Sequence, residues 1–261
     1  MALLHVDFFS EVLGMCMQMD VILPQKASGQ IGMGAKGAED KIPTLYLLHG
    51  MSDDHTIWQR RTSIERYVSD LGIAVVMPTT HLGWYTDMVY GHRYFTFISK
   101  ELPAICRSFF NHLSDRREDT FAAGLSMGGY GAMKLGLAAS ETFGAVASLS
   151  GAMDMTDSNT ALTLAGKDFW RNIFVSFDQV KGSDNDLFSL AEKLKASGNP
   201  LPKIYMWCGT EDFLYHQNVK MRQYLTDLGF DFTYEESSGD HQWTYWDEKI
   251  QSVLQWLPIR K

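Results

Sequence analysis

A serine held between two glycines, at the junction of a strand and a helix, constrains this chain more than any other feature. Gly124-Leu125-Ser126-Met127-Gly128 follows the short apolar run 119–123 and precedes the stretch 131–139. The first run reads as a buried strand and the second as a helix. A G-x-S-x-G pattern carries mechanism only in that setting, where the chain reverses sharply at the serine. Ser126 is then expected at φ > 0, a strained conformation. Side chains at 124 and 128 would collide across so tight a turn, and glycine removes the collision. The turn lifts a hydroxyl above the sheet and aims the N–H groups of a helix N-terminus at the same spot. The plainer reading is a serine that merely caps the helix. The strand before it, the helix after it and a further glycine at 129 favour a nucleophile.

The rest of the chain must therefore supply a sheet. At 261 residues it is long enough for one large domain, 1–261, with a full core. No internal repeat or interdomain linker interrupts it. A hydrophobic fraction of 45% with 21% charged residues is that of a soluble globular protein. A net charge of -8 argues against a nucleic-acid partner. The apolar runs are far too short for a membrane span. The first residues lack the basic region and long apolar core of a secretory signal. Cys16, Cys106 and Cys208 match no zinc or redox spacing, and core positions in a reducing compartment suit them better. Together these points give a cytoplasmic expectation.

Strands are expected over 5–10 and 13–24, as an antiparallel start, and over 42–48, 73–77, 119–123, 143–150, 202–208 and 230–236. Helices are expected over 56–71, 94–113 with a kink at Pro103, 131–139, 217–228 and 242–257. The alternation predicts an α/β protein with a mainly parallel central sheet covered by helices on both faces. The glycine-rich stretch 25–41 reads as a long exposed loop. It lacks the lysine spacing of a phosphate-binding loop. Residues 151–195 contain no clear strand and leave from the C-terminal end of one. Ligands bind along that edge in open α/β sheets, so this excursion is placed to act as a small cap. Trp58, Trp84, Tyr85, Trp170 and Trp243 are candidates for pocket walls, or for core and cap packing.

A serine hydroxyl needs a base. Of the eight histidines, His241 fits best, because it follows the last strand across the turn 237–240 and precedes the last helix. His49, His55 and His81 also sit at strand ends on that edge. They come before the serine, however, and the α/β-hydrolase order is serine, acid, histidine. His216 is expected to start a helix. The acid should come from Gly209-Thr210-Glu211-Asp212-Phe213, with Asp212 the choice and Glu211 the rival. A one-residue shift in a loop reverses which of the two faces inward. Either could instead serve as an acid at a helix N-terminus. The oxyanion donors expected are the backbone N–H groups of Met127, next to the serine, and of Met51, in the His49-Gly50-Met51 turn. No H-E-x-x-H or similar pair occurs, so neither a metal nor a cofactor is expected.

With these residues in place, the chain resembles an α/β-hydrolase esterase family that includes tributyrin esterases, bacterial feruloyl esterases and esterase D, an S-formylglutathione hydrolase. The resemblance spans nearly the whole chain and is strongest to the bacterial tributyrin esterases. It rests on Leu47-Leu48-His49-Gly50, on 124–132, on Gly209-Thr210-Glu211-Asp212 and on Asp240-His241-x-Trp243-x-x-Trp246. It implies an α/β-hydrolase fold and a triad of Ser126, Asp212 and His241. It also implies a carboxylesterase acting on a small acyl ester, and self-association as a common habit. Feruloyl ester or thioester hydrolysis uses the same machinery. The chain departs from the esterase D pattern at two points: no cysteine closely follows Met51, and position 125 is leucine where that branch carries histidine. A non-catalytic binding protein on this fold is the alternative of a different class. It has no need for a full set of catalytic groups. The mixed apolar and charged content of 151–195 further predicts a preference for acetyl to butyryl esters.

Overall fold

A computed structural model describes residues 1–29, 31–32, 34–37 and 41–259. The described residues form one eight-stranded sheet. Its strands are β1 (Ala2–Ser10), β2 (Met15–Leu23), β3 (Thr44–Leu48), β4 (Ala74–Pro78), β5 (Thr120–Leu125), β6 (Ala145–Leu149), β7 (Lys203–Gly209) and β8 (Phe232–Ser237). The spatial order is β1-β2-β4-β3-β5-β6-β7-β8. β1 pairs antiparallel with β2, and β2 with β4. From β4 to β8 every pairing is parallel.

This order places a switch point in the middle of the sheet. The chain leaves β3 for β4 on one side and returns with β5 on the other. Crevices at the C-terminal ends of such neighbours are where open α/β sheets bind ligands. The register sharpens the placement. Leu48 pairs with Gly124, so the loop beginning at His49 lies beside the turn at Ser126. On the same edge Gly209 pairs with Ser237, which sets the turn after β7 beside the turn after β8.

The strands alternate between two apolar layers. Leu45 and Leu47 of β3 face one layer with Val75, Met77, Phe121 and Ala123, covered by the helices Ile57–Arg61, Ile64–Val68 and Trp243–Trp256. Tyr46 and Leu48 face the other, with Met17, Met19, Val76 and Ala122, covered by the helix Met127–Ala138. Cys106 and Cys208 fill core positions as expected, whereas Cys16 is exposed. The same alternation explains the exception: Met17 and Met19 point inward, so Cys16 between Met15 and Met17 points out.

Three local expectations need correction. The single helix over 56–71 is two short helices. They break at Thr62, whose hydroxyl donates to Trp58 O and accepts from Ile64 N, at 2.6 and 3.1 Å. Threonine and serine side chains compete in this way with helical backbone bonds. The segment around Pro103 does not kink simply. It runs as Tyr94–Thr96, a π turn over Phe97–Glu101, and Leu102–Phe109, with Leu102 N–H donating to Phe97 O. Widening the turn next to the proline accommodates a residue that can donate no backbone bond. The helix after the serine begins at Met127 rather than at 131. Of the glycine-rich stretch 25–41, residues 30, 33 and 38–40 lie outside the described residues, and Ala27 and Ala35 form an antiparallel bridge.

Residues 150–202, between β6 and β7, carry the helices Ser158–Leu164, Lys167–Phe174 and Leu187–Ser197. Three polar fastenings hold this excursion to the body. Lys220 Nζ lies 2.5 Å from Asp154 Oδ2. Asp157 takes His216 Nε2 at 3.1 Å and Gln217 Nε2 at 3.2 Å. At the far end Asn185 accepts from Tyr130 Oη through its carbonyl, at 2.9 Å, and from Lys134 Nζ through Oδ1, at 2.6 Å. The loop after β4 adds backbone bonds from Val89 N and Tyr90 N to Ile173 O and Asn172 O. No described helix is long and apolar enough to cross a membrane.

Candidate active site

Ser126 follows β5 with φ 54° and ψ −118°, the strained turn its glycines anticipate. A Cβ on Gly124 would lie 2.4 Å from Gly128 O, and one on Gly128 would lie 2.5 Å from Leu48 O. Both positions therefore need glycine, and the second shows why: the start of the helix is pressed against the end of β3. Ser126 N donates to Leu149 O at 3.0 Å, which ties the turn to β6 as well.

His241 reaches this serine across 115 residues of sequence, with its Nε2 3.0 Å from Ser126 Oγ. Its Nδ1 is 2.8 Å from Asp212 Oδ2. An ionised carboxylate can only accept, so Nδ1 carries the proton and Nε2 is free to accept from the hydroxyl. In this order the ring can take the serine proton while the carboxylate stabilises the resulting cation. The Asp212 side chain is fully buried and that of His241 is 20% exposed, so the relay is dry on the acid side and open towards solvent at the ring. Asp212 Oδ1 also accepts from Leu214 N at 2.8 Å, which fixes the carboxylate.

Glu211 does not face the imidazole. Its Oε2 accepts from Gly239 N at 2.6 Å and its Oε1 from Thr210 Oγ1 at 2.9 Å. The Gly239 N–H, helped by that hydroxyl, holds its carboxyl below the usual range. The neighbouring carboxylates thus divide the work: Asp212 holds the ring, and Glu211 holds the turn that carries it. The sequence placed both acids at this turn and gave no signal of the second role.

The imidazole lies between two aromatic rings. Trp246 meets it edge-on at 4.8 Å and Phe213 tilts against it at 4.6 Å. Trp246 is buried and its Nε1 donates to Ser150 Oγ at 3.2 Å. The spacing Asp240-His241-x-Trp243-x-x-Trp246 contains the signal for this contact, because the helix Trp243–Trp256 turns Trp246 back under the histidine.

The other histidines on this edge are engaged elsewhere. His55 Nδ1 pairs with Thr79 Oγ1 at 2.8 Å and His81 Nδ1 with Tyr94 Oη at 2.9 Å. His49 is buried, with Nε2 accepting from Thr80 N at 2.9 Å and Nδ1 2.7 Å from Gly50 O. Since Nε2 accepts a backbone N–H, the Nδ1 proton must be the one donated to Gly50 O. Burial drives its pKa down to about 4, so the ring is neutral near pH 7. Its contribution is to the loop. In a trans peptide the C=O and the following N–H point in opposite directions, so pinning Gly50 O also aims Met51 N–H. Trp58 Nε1 and Tyr85 Oη brace the same loop by donating to Leu48 O and His49 O, at 3.0 and 2.9 Å. A Cβ on Gly50 would lie 3.8 Å from Ser126 Cβ, so this loop borders the serine. Met127 opens its helix, so its N–H has no acceptor within that helix.

Of the aromatic candidates for pocket walls, Trp58, Trp84, Tyr85 and Trp170 are core residues, and Trp243 packs against Trp58 and Trp246. Trp170 is the centre of the excursion's own cluster and touches Trp84, Phe169, Phe174 and Phe177. A cavity of about 520 Å³ lies beside it, lined also by Lys167 and Arg171. Among the described residues no group of three or more His, Cys, Asp or Glu side chains is arranged to hold a metal ion.

Comparison with known proteins agrees with this geometry. The family model described as "Putative esterase" matches residues 10–257. An acetyl esterase from Caldicellulosiruptor saccharolyticus is 32% identical over 263 residues, covering 98% of each chain. The fluorophosphonate-binding serine hydrolase FphF of Staphylococcus aureus superposes with a TM-score of 0.88 at 33% identity, over 100% of this chain and 99% of that one. An S-formylglutathione hydrolase (FrmB) from Staphylococcus aureus follows at 0.86 and 33%, over 98% of both. The sheet, the strained serine turn and a family match over nearly the whole length lead to one conclusion: the chain belongs to this esterase family and has the α/β-hydrolase fold.

Proposed function

We propose that the protein is a serine carboxylesterase for short acyl esters, with Ser126 as nucleophile, His241 as general base and acid, and Asp212 as the acid that orients it. The observation that carries the reading is the continuous line from Ser126 Oγ through the imidazole to the buried Asp212, at 3.0 and 2.8 Å. Ser126 Oγ attacks the ester carbonyl as His241 Nε2 removes its proton. Negative charge then develops on the carbonyl oxygen. The N–H groups of Met127 and Met51 are assigned to hold it, the first at a helix N-terminus and the second aimed by His49. Collapse breaks the bond to the alcohol oxygen, which leaves with the proton from His241. Water repeats the sequence on the acyl-enzyme. A fluorophosphonate probe tests the assignment: wild type should be labelled on Ser126, and Ser126→Ala should be neither labelled nor active.

The acyl preference rests on the excursion after β6, read as a small cap. Its aromatic residues pack on one another and on Trp84, and charged residues break up its outer surface. No broad apolar face is left for an aggregated lipid. The similar acetyl esterase and S-formylglutathione hydrolase both act, by name, on very small acyl groups. Each methylene that fits should add up to about 0.8 kcal/mol of transition-state binding until the wall is met. Across C2 to C12 p-nitrophenyl esters below their micelle concentrations, kcat/KM should rise from acetyl, peak near butyryl and fall by octanoyl. A profile still rising at C10, or activation at an oil–water interface, would rule out the cap reading.

Thioester hydrolysis is the second reading, favoured by the likeness to FrmB. Against it stand Leu125 and the lack of a cysteine close after Met51. Acetyl thioesters assayed beside matched oxygen esters separate the two.

A further inference from the structure

Phe213 follows the buried Asp212, yet its own side chain is not buried with it. At 43% exposure it is among the exposed large apolar side chains, and its ring leans on the imidazole of His241 at 4.6 Å. The two rings that flank the histidine therefore differ. Trp246 is 4% exposed and tied to Ser150, which suits a fixed support. Phe213 presents much of its face to solvent beside a ring that is itself partly open. Exposed phenylalanines usually need no explanation. This one stands at the place where the chemistry requires a second group to pass.

The requirement follows from proton transfer. Acylation forms the bond between Ser126 Oγ and the carbonyl carbon and breaks the bond between that carbon and the alcohol oxygen. The electron pair stays on the alcohol oxygen. The proton that neutralises it is the one His241 took from Ser126, and it is handed over from the same Nε2. The alcohol oxygen must then come within hydrogen-bond reach of Nε2, so its first carbons lie alongside the imidazole. Trp246 is buried against the body on one side of that ring. Of the two rings that touch it, the accessible one is Phe213.

Resting on the triad reading above, we propose that Phe213 is a specificity residue for the leaving group: its exposed face receives the alcohol of the ester and favours alcohols with an aryl or extended apolar portion over short ones. An aromatic leaving group gains an offset or edge contact with the phenyl ring in addition to buried area. The acyl group is bound elsewhere and is unaffected.

The test compares benzyl butyrate with ethyl butyrate, whose alcohols are of similar basicity and whose acyl-enzyme is identical. Wild type, Phe213→Ala and Phe213→Leu are assayed for kcat/KM and for the rate of deacylation. Phe213→Ala should lower kcat/KM for benzyl butyrate roughly tenfold, ethyl butyrate by at most about twofold, and leucine should recover part of the loss. Deacylation should be unchanged, because the alcohol has already left. An equal loss on both esters, or slowed deacylation, would show that Phe213 only steadies His241 and would overturn the proposal. No change on either ester would overturn it too. Fluorophosphonate labelling keeps the two readings apart. If Ser126 is labelled in wild type and in the leucine variant but the ester ratio does not move, only the leaving-group proposal fails. If wild type is not labelled at Ser126, the triad reading fails first.

Discussion

The turn at Ser126 and the excursion after β6 are built by different means. The turn is held by backbone: a steric lock between Gly124, Gly128 and the end of β3, and a bond from Ser126 N to Leu149 O. Its conformation is set within a few residues and leaves almost no choice of side chain. The excursion is held largely by side chains: Asp154 on Lys220, Asp157 on His216 and Gln217, and Asn185 on Lys134, with two backbone bonds from the loop after β4. Its side-chain fastenings pair residues 51 to 66 positions apart, and none of them is a sterically forced type. The proposed chemistry thus sits where the backbone permits one solution. Substrate range is assigned to a region that many sequences can build. Changes to the first region should alter rate by orders of magnitude and leave the fold alone, and changes to the second should alter range and stability.

The sharpest break in that contrast is Ser126→Ala. Serine and alanine differ by one oxygen, and the turn depends on glycines rather than on the hydroxyl. Activity should fall by three or more orders of magnitude with no change in melting temperature beyond about 2 °C. A purified variant that keeps a tenth of wild-type turnover would remove Ser126 from the mechanism.

A second test lies within one turn. Asp212→Asn should slow turnover by roughly a hundredfold or more, because the amide presents the wrong partner to Nδ1. Glu211→Gln keeps an acceptor for Gly239 N and should cost less than about tenfold. Kinetics on the matched pair would reverse the assignment if Glu211→Gln proved the more damaging.

This pair also shows what could be read in advance. The parallel sheet, the serine turn and the return of His241 from the last strand were legible, because each depends on a local pattern: buried runs, paired glycines, a strand followed by a helix. Asp212 was the choice over its rival Glu211, but no periodicity in a loop fixes which of two neighbours faces the histidine. The function of His49 was hidden for another reason. A histidine at a strand end reads as a candidate base, and only its burial and the bond from Thr80 N make it a neutral strut. The break at Thr62 and the π turn before Pro103 were signalled by residue type but not by form. Glu101 adds a long-range link that no pattern announces, accepting from Glu11 N and Val12 N across some 90 residues. Lys134 gave the least warning. It is the one cation in an otherwise apolar helix, and lysines are rarely fully buried, yet it is 2% exposed.

That lysine yields the smallest of the expected effects, on the side of the comparison where side chains do the holding. Nζ donates to Asn185 Oδ1 at 2.6 Å and to Thr86 Oγ1 at 3.1 Å, and no carboxylate lies within ion-pair distance among the described residues. Thr86 uses its own proton on Trp84 O, so its oxygen is free to accept. A neutral amine has two N–H bonds, and two acceptors are present. Both hydrogen bonds therefore survive when the ammonium gives up its charge. Burial brings the pKa down to about 7 from an ordinary 10.5. It outweighs the groups that favour the cation: the Phe95 and Tyr130 rings, 4.7 and 5.7 Å from Nζ, and the more distant Asp87 and Asp184. The unfolded chain binds the proton up to its ordinary value, while the folded chain has released it above about 7. Between these limits the unfolded state holds more protons, so stability rises with pH, and the gain is lost as pH falls through 7. Over pH 7 to 9 the gain is roughly 2 kcal/mol. Other groups titrate in the same range, so the quantity to measure is the difference between wild type and Lys134→Met, which preserves the length of the stem. Urea unfolding at pH 6, 7, 8 and 9 should show wild type gaining on the variant above pH 7 and running parallel to it below. Curves parallel throughout would mean that Lys134 keeps its charge in the fold, and that the far end of the excursion is held by an ammonium.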